Sequence, residues 1–272
     1  AVRALCLEPV VYPSCRPEHR RGYLAAPDPV RAGDIQAAFC DNSIAGVLCI
    51  RGGYGANRIL PLLDWAAIAR HPKVFAGYSD ITALHIVLNQ RCGLVTYHTI
   101  MPSTEYWEPV DPFSMGELRR ALFGGLTGVL PLPERAVPVP LAPGRAEGVL
   151  CGGNLTLVCA SLGTPWEIDT RGKLLFLEDI GEKPRRIDAM LTQLRNAGKF
   201  ADCAGVILGA WTDCPEEEGD LPLEESFREL ILPAGKPVLA GVPCGHVLPT
   251  WSLPLGARAV LDAGAGRLEV LS

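Results

Sequence analysis

Two joints, each an apolar run closed by glycine and followed by a helical pattern, constrain this chain most. The first is the buried-strand pattern of residues 43–50, with the apolar core Ile44-Ala45-Gly46-Val47-Leu48-Cys49-Ile50. It ends in Arg51-Gly52-Gly53-Tyr54-Gly55-Ala56-Asn57-Arg58, and an apolar, helical stretch over 59–69 follows. In the second, Val74, Phe75 and Ala76 close on Gly77, after which Ile81, Leu84, Val87 and Leu88 recur at helical spacing. Strand, turn and helix repeated in this order predict a parallel sheet of the α/β class. A helix from Pro29, with Ile35, Ala38 and Phe39 on one face, precedes the first joint. A strand over 93–99 and a short helix over 117–122 follow the second.

Pro131, Pro133, Pro138, Pro140 and Pro143 crowd residues 124–147, poor material for a helix or a central strand. That stretch reads as a linker or extended edge between domains. The expected division is 1–123 as an N-terminal α/β domain, 124–147 as the linker and 148–272 as a C-terminal domain. Within the last, residues 148–151 run into Gly152-Gly153-Asn154-Leu155, another strand-to-helix transition. Arg185, Ile187, Met190, Leu191 and Leu194 mark an amphipathic helix, residues 205–211 a strand, and 253–270 short terminal strands.

Composition removes whole classes of function. The net charge is −5 and basic residues gather only in isolated pairs, so a nucleic-acid surface is not expected. No apolar run reaches membrane-span length and no signal-peptide pattern opens the chain, which excludes a membrane partner at this level. The ten cysteines form no C-x-x-C pair and no Cys/His spacing of a zinc site, so no metal is expected. Cys49 and Cys159 lie in apolar runs, as reduced thiols of a cytoplasmic protein do.

Ser79 stands at the second joint, in Gly77-Tyr78-Ser79-Asp80-Ile81. There a serine either caps the helix or offers its hydroxyl from a sharp turn beside backbone N–H groups. The glycine turn at 51–58 is either a plain tight turn or a backbone cradle for an anion; it matches neither a Walker A loop nor G-x-G-x-x-G. Glu178 and Asp179 end the apolar run Leu174-Leu175-Phe176-Leu177, where they either cap a helix or orient a histidine. His246 sits in the proline-bounded loop Val242-Pro243-Cys244-Gly245-His246-Val247-Leu248-Pro249, as a solvated bystander or a positioned functional group. The role of His98, at a strand end, is open.

The order Ser79, Glu178, His246 is the nucleophile–acid–base order of many α/β acyl-transfer enzymes. With Arg51-Gly52-Gly53-Tyr54-Gly55, Gly77-Tyr78-Ser79-Asp80, Gly152-Gly153-Asn154-Leu155, Leu177-Glu178-Asp179-Ile180-Gly181-Glu182 and Gly245-His246, the sequence resembles the LD-carboxypeptidase family of serine peptidases. That family includes murein tetrapeptide carboxypeptidases and microcin-immunity peptidases. The resemblance implies a parallel-sheet N-terminal α/β domain, a smaller β-rich C-terminal domain and a site in the cleft between them. It implies Ser79 as nucleophile, His246 as base, Glu178 as the group orienting that base, and N–H groups of Asp80 and of Gly52 or Gly53 as oxyanion donors. No cofactor is implied. The implied substrate is a small murein peptide losing a terminal D-alanine during cell-wall recycling, with Arg51 and Arg58 as candidate cations for its carboxylate. Family members open with a further strand and helix that do not appear ahead of Ala1, so a trimmed chain or an abbreviated domain is expected. The exposed sheet edge bears on stability and on a homodimer. Three other readings stand beside this one: a peptidyl-nucleotide peptidase of the immunity type, a non-catalytic anion-binding α/β protein, and a cysteine amidohydrolase using Cys244.

Overall fold

The computed structural model describes residues 2–102 and 110–272. In chain order the elements are α1 (Asp28–Cys40), β1 (Gly46–Leu48), α2 (Ala56–Ile59), α3 (Trp65–Arg70), β2 (Val74–Gly77), α4 (Thr82–Cys92), β3 (Thr96–His98) and α5 (Pro112–Arg119). Then come β4 (Gly128–Val129), β5 (Val139–Ala142), β6 (Arg145–Asn154), α6 (Leu155–Ser161), β7 (Leu174–Ile180), α7 (Pro184–Asn196) and α8 (Lys199–Asp202). The chain closes with β8 (Gly205–Thr212), α9 (Leu223–Leu230), β9 (Val238–Ala240), β10 (Leu253–Leu255), β11 (Arg258–Asp262) and β12 (Arg267–Val270).

Two sheets organise these elements. The first has the order β1-β2-β3-β10, with β1, β2 and β3 parallel as the repeated joints predict. Its fourth strand, β10, arrives from the far end of the chain and runs antiparallel to β3, with Leu253 opposite His98. The second sheet has eight strands in the order β4-β12-β11-β6-β7-β8-β9-β5. Its centre, β6 to β9, is parallel, and the flanking pairs are antiparallel. β4 and β5, both from the proline-rich stretch, form the two edges.

Local chemistry explains where the elements start and stop. The apolar stretch over 59–69 is not one helix: α2 ends at Ile59, Pro61 sits in a single tighter turn, and Asp64 restarts the chain by accepting the Ala67 N–H at 2.9 Å. Proline cannot donate within a helix, and a carboxylate at the next N-terminus satisfies an orphan donor. The strand expected over 43–50 is only Gly46–Leu48, and the helix expected over 117–122 lies earlier, at Pro112–Arg119, before a wider turn over Arg120–Gly124. α4 is buried from Thr82 to Leu88 because helices and strands of both sheets pack around it. α7 buries Ile187, Met190, Leu191 and Leu194 on one stripe against β7 and β8 residues such as Leu175 and Leu208.

His85 of α4 fixes the carboxyl end of β2. Its Nε2 lies 2.9 Å from the Gly77 carbonyl and its Nδ1 lies 2.8 Å from Thr96 Oγ1. Burial lowers the pKa of this imidazole to about 4. Between about pH 6.5 and 4 the unfolded chain therefore binds a proton that the fold refuses, and stability falls as pH falls through that window. A shift of this size corresponds to about 3 kcal/mol once pH is below both values. Urea unfolding at pH 7 and pH 4.5 is expected to show the loss, and His85→Gln to reduce the slope between them. An equal slope in the variant would remove His85 from the account.

Candidate active site

Ser79 follows β2 in a left-handed conformation, φ 64°, which non-glycine residues avoid. Neither the turn Ser79–Ile81 nor α4 has a side-chain capping bond, so the hydroxyl is not spent on a cap. The glycine turn lies directly against it. A Cβ on Gly52 would stand 2.9 Å from Ser79 Cβ, 3.1 Å from its Oγ and 3.4 Å from the Asp80 nitrogen. Only a glycine lets the two backbones come this close. The Asp80 side chain holds the turn in place, its Oδ2 accepting the Ala56 N–H at 2.9 Å.

Glu178 and His246 form the second half of the site. Glu178 lies in the last half of β7, fully buried, and its Oε2 lies 2.6 Å from His246 Nδ1. Gly245 makes this approach feasible, since a Cβ there would fall 2.7 Å from the same Oε2. The Thr212 hydroxyl donates to the His246 carbonyl at 2.5 Å and anchors the loop to β8. Burial raises the Glu178 pKa, and the hydrogen bond and charge of His246 partly offset that. A buried carboxylate on Nδ1 fixes the orientation of the ring.

The two halves meet at Tyr78. This residue, immediately before Ser79, packs its buried ring 4.7 Å from that of His246. Further links join the lobes here: Thr82 Oγ1 at the start of α4 accepts the Asn154 N–H at the end of β6. The adjacent carboxylates at 178 and 179 have separate tasks. Asp179 accepts from Asn154 Nδ2, from the Thr156 N–H and from its hydroxyl, and so organises the start of α6.

Residues 1–99 match the model of the LD-carboxypeptidase N-terminal domain and residues 147–261 that of the LD-carboxypeptidase C-terminal domain. The chain belongs to the LD-carboxypeptidase family. Among the relatives of this family, a probable murein peptide carboxypeptidase of Bacillus subtilis is 42% identical over 90% of this chain and 77% of its own length. The crystal structure of a muramoyltetrapeptide carboxypeptidase from Oxalobacter formigenes superposes with TM-score 0.81 at 30% identity, covering 93% of this chain and 86% of that one. MccF in complex with glutamyl sulfamoyl guanosine superposes with TM-score 0.85 over 93% of this chain and 83% of its own; at 23% identity this speaks to the fold alone.

The remaining candidates of this LD-carboxypeptidase chain sort by their contacts. Arg58 is held by Asp28 through two bonds, Nε at 2.9 Å and Nη2 at 2.8 Å. Arg51 is exposed, and its guanidinium lies beside Gly53, 3.7 Å from where a Cβ would stand. Cys244 is fully buried and its thiol pKa is pushed well above 9 by burial, the reverse of what a thiolate nucleophile requires. His98 is buried behind Tyr78, between its ring at 5.7 Å and that of Phe176 at 5.2 Å, and burial holds its pKa well below 6.5. Tyr78 and Asn154 are the contributors that sequence reasoning passed over as members of the site. Both sit within motifs already singled out, but partners such as His246 and Thr82 lie far along the chain. Among the described residues no group of three His, Cys, Asp or Glu side chains could hold a metal ion, and no helix is long and apolar enough to cross a membrane.

Proposed function

We propose that the chain is a serine LD-carboxypeptidase that releases the terminal D-alanine of a murein tetrapeptide, acting at the seam of a two-lobed molecule divided near 124–147. The observation that carries this reading is the buried Glu178–His246 pair at 2.6 Å, its imidazole packed 4.7 Å from the ring of Tyr78, the residue before a serine in a left-handed turn against Gly52. In this mechanism His246 Nε2 takes the Ser79 proton as Oγ attacks the carbonyl of the L,D bond. The tetrahedral oxyanion forms beside the N–H of Asp80 and that of Gly52 or Gly53, each such donor worth about 3 kcal/mol. His246 then protonates the departing D-alanine amine, and water, activated by the same imidazole, resolves the acyl-enzyme. Arg51 is the better candidate for the substrate carboxylate, because Asp28 already neutralises Arg58. Ten free thiols support a reducing, cytoplasmic setting. β1 lies at an edge of the first sheet, which supports a homodimer through that edge.

The test is D-alanine release from a murein tetrapeptide, run beside a peptidyl-sulfamoyl nucleotide and with a serine-reactive phosphonate. Release from the tetrapeptide and an adduct on Ser79 are expected. Cleavage of the nucleotide alone would replace the reading with the immunity-type activity, and no adduct or release would favour an anion-binding protein.

Glu178→Gln provides a sharper measure of the pair. An amide keeps the shape of the carboxylate but not its charge, so kcat is expected to drop by about 10^3- to 10^4-fold with little change in KM. In the parent enzyme kcat/KM is expected to fall on the acid side as the Glu178–His246 pair takes up a proton and Ser79 loses its base. A variant that retains a tenth of the activity would show that the orienting charge is dispensable.

A further inference from the structure

Two tyrosines beside the glycine turn stand in solvent with no core to stabilise them. Tyr54 is 61% exposed and Tyr23 is 75% exposed, and their rings meet edge to face at 5.5 Å and 73°. The scaffold beneath them is tightly built. Tyr23 tips a two-residue turn closed by reciprocal backbone bonds between Arg21 and Leu24, both 3.0 Å. Leu24 is buried against Gly55, where an added Cβ would fall 2.8 Å from its Cδ2. Arg31 donates to the Gly55 carbonyl at 3.0 Å and to Asp28 at 2.7 Å, and Asp28 also holds Arg58. The bond from the Ala56 N–H to Asp80 ties this assembly to the residue after the nucleophile. Exposed aromatic rings fixed in advance lose little entropy when a ligand covers them, which is how binding surfaces use tyrosine.

From these observations we propose that Tyr23 and Tyr54 form a stacking surface for the pyranose ring at the amino end of a muramyl tetrapeptide, giving the enzyme a preference for sugar-bearing substrate. The inference rests on the murein carboxypeptidase reading of the site. Reach agrees with it. Three residues separate the sugar from the scissile bond, a span of about 10–11 Å when extended. Gly52 touches Ser79, and Tyr54 lies two residues on, at most about 7 Å further before its ring begins. Ring geometry favours a sugar over a nucleobase. A base stacks between parallel faces, whereas rings at 73° offer one face, one edge and two phenol hydroxyls, matching a pyranose with its apolar C–H face and polar rim.

The experiment compares kcat/KM for D-alanine release from N-acetylmuramyl tetrapeptide and from the free tetrapeptide, using the full chain, Tyr54→Ala, Tyr23→Ala and Tyr54→Phe. The parent is expected to prefer the sugar-bearing substrate by about five- to tenfold, from the usual worth of aromatic contacts. Either alanine variant is expected to bring that ratio towards one, through KM, and Tyr54→Phe to keep most of it. A parent without preference, or alanine variants that lose activity equally on both substrates, would overturn the inference while leaving the carboxypeptidase reading intact. No release from either substrate by the parent would instead sink the reading beneath it.

Discussion

Ser79→Ala is expected to lower kcat for D-alanine release by about 10^4- to 10^6-fold, the range seen when a triad nucleophile is removed. Adding His246→Ala to it is expected to cost almost nothing more, because groups that act as one proton-transfer unit do not contribute additively. The folded state provides an independent readout. Ser79 is held at φ 64°, a conformation that costs a non-glycine residue about 1–2 kcal/mol. Ser79→Gly is therefore expected to be as inactive as the alanine variant but more stable by about 1 kcal/mol in urea unfolding, the entropy of glycine taking back part of the gain. That opposition, activity lost and stability gained at one atom's distance, is what strain stored at a functional turn predicts. An alanine variant that still releases D-alanine at a tenth of the parent rate would take Ser79 out of the mechanism. A glycine variant no more stable than the parent would mean that the turn is not strained.

The α/β alternation was legible because its signals are local. An apolar run, a glycine and a helical period identify strand, turn and helix with no knowledge of partners, and β1, β2, α4, β6, β7 and α7 all arise this way. Non-local pairings were not legible. Nothing in Leu253, Pro254 and Leu255 says that they cross back to pair with His98, Tyr97 and Thr96, since the partner lies more than 150 residues earlier. Proline was legible only in part: Pro61 breaks what reads as one helix, whereas Pro140 sits in β5, at a sheet edge where its missing N–H is harmless, as the extended-edge reading of its stretch allows. Site chemistry divides in the same way. The residue types at 79, 178 and 246 are visible in motifs, but the left-handed φ of Ser79 and the glycine contacts at 52 and 245 exist only once loops from distant segments converge. Arg51 and Arg58 look equivalent in sequence, and only the two bonds from Arg58 to one oxygen of Asp28, 30 residues upstream, separate them.

The largest effect on folding is expected at Gly152. It lies in β6 opposite Phe176 of β7, at φ 112°, and a Cβ there would fall 1.9 Å from the Phe176 carbonyl oxygen. No rotamer change relieves a clash between backbone and backbone; the two central strands would have to part. Between them run the pairings that set Asn154 beside Glu178, so parting them costs ladder hydrogen bonds and a fully buried Phe176 together. Gly152→Ala is expected to exceed about 4 kcal/mol of destabilisation and to give little folded protein. Two neighbours calibrate the claim. Gly163 has φ 71° with nothing within 4 Å, so its alanine variant meets only backbone strain, about 1–2 kcal/mol. A Cβ on Gly153 would press on Thr82 Oγ1 at 2.4 Å, a side-chain atom that can move, but one that accepts the Asn154 N–H at the start of α4. Gly153→Ala is thus expected to fold less stably than Gly163→Ala and to lose activity as well. Thermal melts of the three variants rank them, and Gly152→Ala melting within a few degrees of Gly163→Ala would mean that β6 and β7 are not packed as tightly as the register requires.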